Sequence, residues 1–143
     1  MLLEAVHQAT HYFCTDTLGL TLQNGKSMGK HFYGASIPLT QNSKEEHFYL
    51  FFKADTLNEF GKILLFEDNL NEDDLDDLCK EVANQIIGHA KMTLETHHPD
   101  ASFTLGTPEF LGHLSAPFPF KLEEFLLYKL KNRTFVIGRR TFP

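Results

Sequence analysis

The chain has 143 residues, a length typical of one domain that can bury its own hydrophobic core. Hydrophobic residues make up 42% and charged residues 22%, as in ordinary globular proteins. The 13 basic and 19 acidic residues leave a formal net charge of −6. This charge argues against non-specific binding to nucleic acid or to an anionic membrane, because both require a basic surface.

The cysteines, the N-terminal segment and the lengths of the apolar runs favour a cytoplasmic protein. Cys14 and Cys79 are far apart and form no CxxC spacing, so we expect two free thiols in a reducing compartment. The N-terminal segment lacks the basic and long apolar regions of a signal peptide. No apolar run approaches the roughly 18 residues that a membrane span requires. We therefore expect residues 1–143 to form a single domain in the cytoplasm.

The first half of the chain predicts a helix, two strands and a second helix. Apolar residues recur at helical spacing from residue 2 to about 16, and Gly19 is a plausible stop just beyond. The stretch 20–30 is mostly polar and has turn chemistry. Residues 32–39 and 47–52 are typical of strands in an antiparallel hairpin, separated by the polar loop TQNSKEE, and residues 54–65 of a short helix.

The second half predicts one long helix followed by strands. The helix covers residues 69 to about 96, with Asn71 as its N-cap and His98-Pro99 as its stop. Strands are expected over roughly 101–112 and 117–138, with turns at Pro108, Gly112 and Asn132. This order of elements indicates an α/β (α+β) fold in which helices pack on a largely antiparallel sheet.

The long helix has one apolar stripe and one polar ridge. A helix turns by about 100° per residue, which places six apolar residues within roughly 60° of one another. This predicted buried stripe consists of Leu75, Leu78, Cys79, Val82, Ile86 and Ala90. The opposite face holds Asp77, Glu81, Asn84 and Gly88, which we call the ridge.

The ridge has two interpretations from its composition alone. Helix surfaces exposed to solvent commonly carry Asp, Glu and Asn. However, Asn and Gly in a helix interior each lower helix stability by roughly 0.5–1 kcal/mol relative to Ala. A face that only contacts solvent does not require these two residues. A carboxylate can bind a lysine and an amide can orient a water molecule, and Gly88 would let a partner approach the helix backbone closely.

The spacing Asp77-x-x-x-Glu81-x-x-Asn84 resembles the signature of the CheC/CheX/FliY chemotaxis phosphatases. Thr107-Pro108-Glu109-Phe110-Leu111-Gly112 is similar to the proline-containing strand that follows the helix in that family. A single Glu-x-x-Asn copy on one long helix makes the short chain most similar to CheX. The resemblance therefore implies a CheC/CheX-like fold, with Pro108 shaping the strand beside the helix.

The same resemblance implies an activity and a role for each ridge residue. CheX-like proteins hydrolyse the aspartyl phosphate of a CheY-like response regulator. Glu81 is expected to bind the receiver's active-site lysine, Asn84 to orient the attacking water, and Asp77 to support binding electrostatically. Mg²⁺ is expected on the receiver's own carboxylates, and this chain is expected to bind no cofactor or metal. The resemblance also implies a homodimer formed by pairing of sheet edges.

Two alternatives remain open from the sequence. A non-catalytic adaptor could use the same fold to bind a receiver or a component of the flagellar switch. A metal site could be formed by His7, His11 and Cys14, which lie one turn apart along the first helix, although no fourth ligand lies nearby. The apolar C-terminal third, including Pro117–Phe120, predicts core strands and, as the alternative, a dimer edge.

Overall fold

A computed structural model describes residues 2–67 and 69–141, with the backbone alone at residue 141. Within these ranges the helices are α1 (Leu2–His11), α2 (Ala54–Leu64) and α3 (Glu72–His97), and a π-helical turn, Tyr12–Thr17, continues α1. The strands are β1 (Gln23–Asn24), β2 (His31–Gln41), β3 (Lys44–Phe52), β4 (Phe103–Leu105), β5 (Glu109–Ser115), β6 (Glu124–Leu130) and β7 (Arg133–Thr141).

The strands form one seven-stranded sheet in which every pair of neighbours is antiparallel. Their order is β1-β6-β7-β3-β2-β4, and β5 also pairs with β2. Strands β4 and β5 share the outer side of β2, where β5 pairs with residues 31–36 and β4 with residues 39–41. The predicted combination of helices and a largely antiparallel sheet is therefore confirmed.

The helices pack on one face of the sheet and bury the main core between them. Leu78, Val82 and Ile86 of α3 belong to the same cluster as Phe48 and Leu50 of β3. All six residues of the predicted buried stripe are buried. Burying each large apolar side chain contributes about 1.5–3 kcal/mol, so this contact fixes which face of α3 is left to solvent.

The opposite face of the sheet is covered by an irregular segment. Phe118 stacks on Phe51 with ring centroids 4.1 Å apart, and Phe120 lies 4.6 Å from the ring of Tyr49. The prediction of a strand over Pro117–Phe120 was wrong. Two prolines that lack an N–H donor alternate with the phenylalanines, so the segment contributes its rings to the core without joining the hydrogen-bond ladder.

Several boundaries differ from the predicted ones. The α-helical part of α1 ends at His11, and the expected stop at Gly19, with φ of +70°, follows the π-helical turn. The predicted seven-residue loop is only two residues long, Asn42 and Ser43, because its other residues extend both strands of the hairpin. Gly112, predicted as a turn, lies inside β5 with φ of +76°, at the bulge where the register against β2 shifts.

The polar stretch 20–30 also contains a short strand, β1, which pairs with the end of β6. Pro108 lies between β4 and β5, immediately before β5 begins. The predicted turn at Asn132 is confirmed, since Lys131 and Asn132 both have positive φ between β6 and β7. No helix in residues 2–67 and 69–141 is both long and apolar enough to cross a membrane.

Candidate functional site

The start of α3 is set by a capping box, as the N-cap prediction required. Asn71 Oδ1 accepts a hydrogen bond from the Asp74 N–H at 2.9 Å, and Asp74 Oδ2 accepts one from the Asn71 N–H at 3.4 Å. Three carboxylates in the first turn, at residues 72, 73 and 74, face the positive end of the helix dipole. The cap fixes where α3 begins, and burial of the apolar stripe leaves Asp77, Glu81 and Asn84 on the solvent side of the helix.

Glu81 is exposed, and its carboxylate is oriented by the next turn of the helix. The Gln85 side chain donates a hydrogen bond from Nε2 to Glu81 Oε1 at 3.1 Å. Gln85 was missed in the sequence analysis, although an i,i+4 pair on a helix is a signal that could have identified it. The bond leaves Glu81 Oε2 free to accept a bond from a cation.

Some charged residues near the ridge pair with each other within α3, whereas Asp77 and Glu81 face solvent. Lys80 Nζ lies 2.8 Å from Asp76 Oδ1, and this ion pair raises the pKa of Lys80. Asp77 is exposed and adds a second carboxylate one turn before Glu81. The ridge therefore presents two acidic groups to a partner, in the segment that holds eight of the 19 acidic residues between Glu67 and Glu81.

Asn84 is exposed, and within residues 2–67 and 69–141 its amide has no hydrogen-bond partner. It lines a groove of about 410 Å³ between the end of α1 and α3. The rings of Tyr12 and His89, which line this groove, stack on each other with centroids 4.5 Å apart. These two residues were not identified from the sequence, because only the packing of α1 against α3 brings them together. The free amide can therefore bind a water molecule or a partner's polar group.

Gly88 borders the same groove but is partly buried, unlike the other three ridge residues. An ideal Cβ built on Gly88 would lie 3.6 Å from Leu105 Cδ2, which is ordinary van der Waals contact. The glycine is therefore not required by packing within this chain. Space for a partner beside the helix backbone remains, although Leu105 of β4 occupies one side of it.

A second cleft, with a volume of about 450 Å³, lies nearer the start of α3 and shares Gln85 with the first groove. Leu64, Leu65 and Leu78 supply its apolar wall, and Asp77 and Glu81 supply its carboxylates. Glu81 therefore belongs to the polar ridge and also lines the apolar cleft. A partner that contacts Glu81 is within reach of both surfaces.

Comparison with solved structures identifies the fold. CheX from Vibrio vulnificus superposes with a TM-score of 0.83 at 16% identity, covering 99% of this chain and 97% of that protein. CheX from Desulfovibrio desulfuricans gives a TM-score of 0.76 at 17% identity, covering 99% of each chain. CheX from Borrelia burgdorferi, in a complex with CheY, beryllofluoride and magnesium, gives 0.72 at 16% identity, covering 100% and 99%.

The chain has the CheX/CheC-like fold. Neither a family model nor a curated protein matches the sequence, so the likeness lies in the structure. The CheX-like resemblance inferred from the Glu81–Asn84 spacing is confirmed at the level of fold. The two predicted site residues lie about 4.5 Å apart along the helix axis, on the same exposed face.

The alternative metal site on α1 has no support in the CheX-like structure. His7 Nδ1 forms a hydrogen bond with the Tyr128 hydroxyl at 2.7 Å, and burial together with the charge of His11 lowers the pKa of His7. Cys14 is fully buried, and burial raises the pKa of its thiol to about 12. In the described ranges, no three His, Cys, Asp or Glu side chains are grouped to hold a metal ion.

Proposed function

We propose that this protein is a phosphatase that hydrolyses the aspartyl phosphate of a CheY-like receiver in chemotaxis signalling. The observation that supports this most directly is the unpartnered Asn84 amide, exposed one turn from Glu81 on the long helix of a CheX-like fold. The complex of a structurally similar CheX with CheY and beryllofluoride supports a receiver as the partner.

Glu81 provides the electrostatic contact with the receiver. A lysine ammonium that reaches Glu81 Oε2 makes a charge-assisted hydrogen bond, which is roughly twice as strong as a neutral one. Gln85 holds the other carboxylate oxygen, so less side-chain freedom is lost when the partner binds. Asp77 adds long-range attraction, which we expect to weaken as salt concentration rises.

Asn84 provides the catalytic function by positioning water. The amide carbonyl accepts a hydrogen bond from the water, which directs an oxygen lone pair at phosphorus in line with the aspartyl oxygen. The new O–P bond forms as the bond to the aspartyl oxygen breaks, and the electron pair returns to the receiver carboxylate. The products are inorganic phosphate and the unmodified aspartate. Mg²⁺ is held in this scheme by the receiver's carboxylates, and it neutralises charge on the phosphoryl group.

The direct test is phosphate release from purified phosphorylated receivers, with wild type and variants compared side by side. Asn84→Ala is expected to abolish acceleration and to keep most receiver affinity, whereas Glu81→Ala should also weaken binding. Glu95→Ala removes an exposed carboxylate from the same helix and serves as the control. Full acceleration by Asn84→Ala would contradict the mechanism. Receiver binding without any acceleration by the wild type would instead favour the adaptor.

The proposal includes a homodimer and a cytoplasmic location. Strand β1 pairs with β6 at Lys129 and Tyr128, and the Gly25 N–H donates to the Leu127 carbonyl, so within the described chain residues 124–126 of β6 have no paired strand on that side. The exposed Phe125 lies in this part of β6. An uncovered strand of this kind can pair with a second copy. The cytoplasm is the compartment in which such a receiver would be met.

A further inference from the structure

Two apolar side chains are exposed immediately after α2, and the first of them, Leu65, lines the cleft that contains Glu81. Phe66 is 91% exposed and the preceding Leu65 is 48% exposed. Phe66 has φ of +58°, in the left-handed region that glycine and asparagine adopt readily and that is a genuine outlier for a bulky side chain. The position that ends a helix in this conformation is usually glycine.

The backbone on both sides of Phe66 is held by specific contacts. The Leu65 and Glu67 N–H groups both donate to the Gly61 carbonyl, at 2.8 and 3.4 Å. The Leu70 N–H donates to Asn58 Oδ1 at 3.0 Å. The exposed ring is therefore presented by an anchored backbone, and its unfavourable conformation is not offset by burial of the side chain. Residues in unfavourable backbone conformations concentrate at functional sites.

The surroundings of this element indicate the chemistry of its partner. Leu65 lines the cleft described above together with Asp77 and Glu81, so apolar and anionic groups face the same space. A complementary surface has an exposed apolar side chain next to a lysine. A second copy of this chain does not fit, because a two-fold contact through this cleft would bring its carboxylates against their own symmetry mates.

We propose that Leu65 and Phe66 form an apolar docking element for the receiver, contacting an apolar side chain beside the lysine that Glu81 binds. This inference rests on the proposed function and adds to it a second contact, formed by the residues that follow α2 and outside the motif on α3. Aromatic side chains, phenylalanine included, are enriched at the buried cores of protein–protein interfaces. The element determines affinity for the receiver, while Asn84 determines the rate of hydrolysis.

The test uses the full chain and the receiver that it dephosphorylates, loaded with Mg²⁺ and beryllofluoride. Phe66→Asn removes the ring but keeps a residue that tolerates positive φ, so we expect unchanged or higher thermal stability. The dissociation constant should rise by about tenfold or more, the effect typical of losing a dominant interface residue. The rate at saturating receiver should stay within about twofold of wild type. Thr96→Ala, at an exposed position near the far end of α3, is the control and should leave the dissociation constant unchanged.

The outcomes distinguish a failure of the docking element from a failure of the phosphatase proposal. If Asn84→Ala abolishes hydrolysis but Phe66→Asn leaves affinity unchanged, the docking element is wrong and the phosphatase proposal stands. If no receiver is bound or dephosphorylated by the wild type, both proposals are overturned. If Phe66→Asn changes the sedimentation coefficient of the chain alone and leaves receiver binding unchanged, the surface belongs to a contact between copies, which also overturns the docking element.

Discussion

At the ridge, two residues reduce helix stability without a compensating contact inside the chain. Asn84 has no hydrogen-bond partner within residues 2–67 and 69–141, and a methyl group at residue 88 would make an ordinary contact with Leu105. Asparagine and glycine in a helix interior each cost about 0.5–1 kcal/mol relative to alanine. Their presence at adjacent positions of one exposed face is consistent with selection for a bound partner.

Gly88→Ala is predicted to raise the free energy of unfolding by about 0.5–1 kcal/mol, because the helix gains propensity and the new methyl group does not clash. We expect weaker receiver binding in the same variant, since the methyl group narrows the space beside the helix backbone. Thermal unfolding followed by circular dichroism, together with receiver titration, measures both effects.

Gly61→Ala in α2 is the matched control for this substitution. Its Cβ would lie only 2.9 Å from Leu70 Cδ1, so Leu70 would have to move and the gain in stability should be smaller. Destabilisation by Gly88→Ala, or equal effects at the two glycines, would contradict the prediction. Gly61→Ala is a control for stability alone, because the Gly61 carbonyl also anchors the backbone beside Phe66.

At the scale of elements, the capping box connects local sequence to the position of the site. Asn71 begins α3, and the residues 6, 10 and 13 positions further on are Asp77, Glu81 and Asn84. The buried stripe then holds this rotation against the sheet. The site depends on two independent features of one helix, which are its start and its apolar face.

Asn71→Ala is predicted to lower the free energy of unfolding by about 1 kcal/mol, because the N–H of Asp74 loses its 2.9 Å acceptor. Asp74→Ala should cost less, since its bond to the Asn71 N–H is longer, at 3.4 Å. Urea unfolding monitored by circular dichroism measures both midpoints. Asn71→Asp, which preserves a capping acceptor, is the control and should stay close to wild type. A larger loss in Asp74→Ala than in Asn71→Ala would be inconsistent with this account.

At the scale of the whole molecule, the two thiols report on the integrity of the core. Cys14 and Cys79 are free and fully buried, and they lie in the core cluster between the helices and the sheet. Burial raises the pKa of each thiol to about 12. Their reactivity as nucleophiles therefore requires the core to open.

We predict that neither thiol reacts with a disulfide reagent at pH 8 in the native protein, because both exposure and thiolate fraction are very low. After unfolding in guanidinium, both thiols should react rapidly. Absorbance of the released thiolate measures the two rates. Fast labelling of one thiol in the native protein would show that its part of the core opens locally.

The proposed homodimer is also a property of the whole molecule. Sedimentation velocity over a range of concentrations should show a dimer, and Phe125→Lys should shift the equilibrium toward monomer by placing a charge on the uncovered part of β6. Thr96→Lys adds the same single positive charge at an exposed position of α3, so it controls for net charge and should have no such effect. A monomer at every concentration would contradict the dimer.

Prediction from sequence succeeded where the signal is local and periodic. The buried stripe of α3, the cap at Asn71 and the turn at Asn132 each depend on residues within a few positions of one another. It failed at Pro117–Phe120, where an apolar composition typical of a strand belongs to an irregular segment. The rings of this segment find their partners on β2 and β3, and contacts so distant in sequence leave no local pattern.

The sequence by itself determined that Glu81 and Asn84 share the polar face of α3, because periodicity and capping act over a few residues. Only the tertiary structure decided what surrounds them. The Asn84 groove requires α1 to pack against α3, and the apolar cleft beside Glu81 requires the end of α2 to lie against the same helix. The physical reason is that burial of the core sets these distant segments side by side, whereas hydrogen bonding along one helix sets only its own faces.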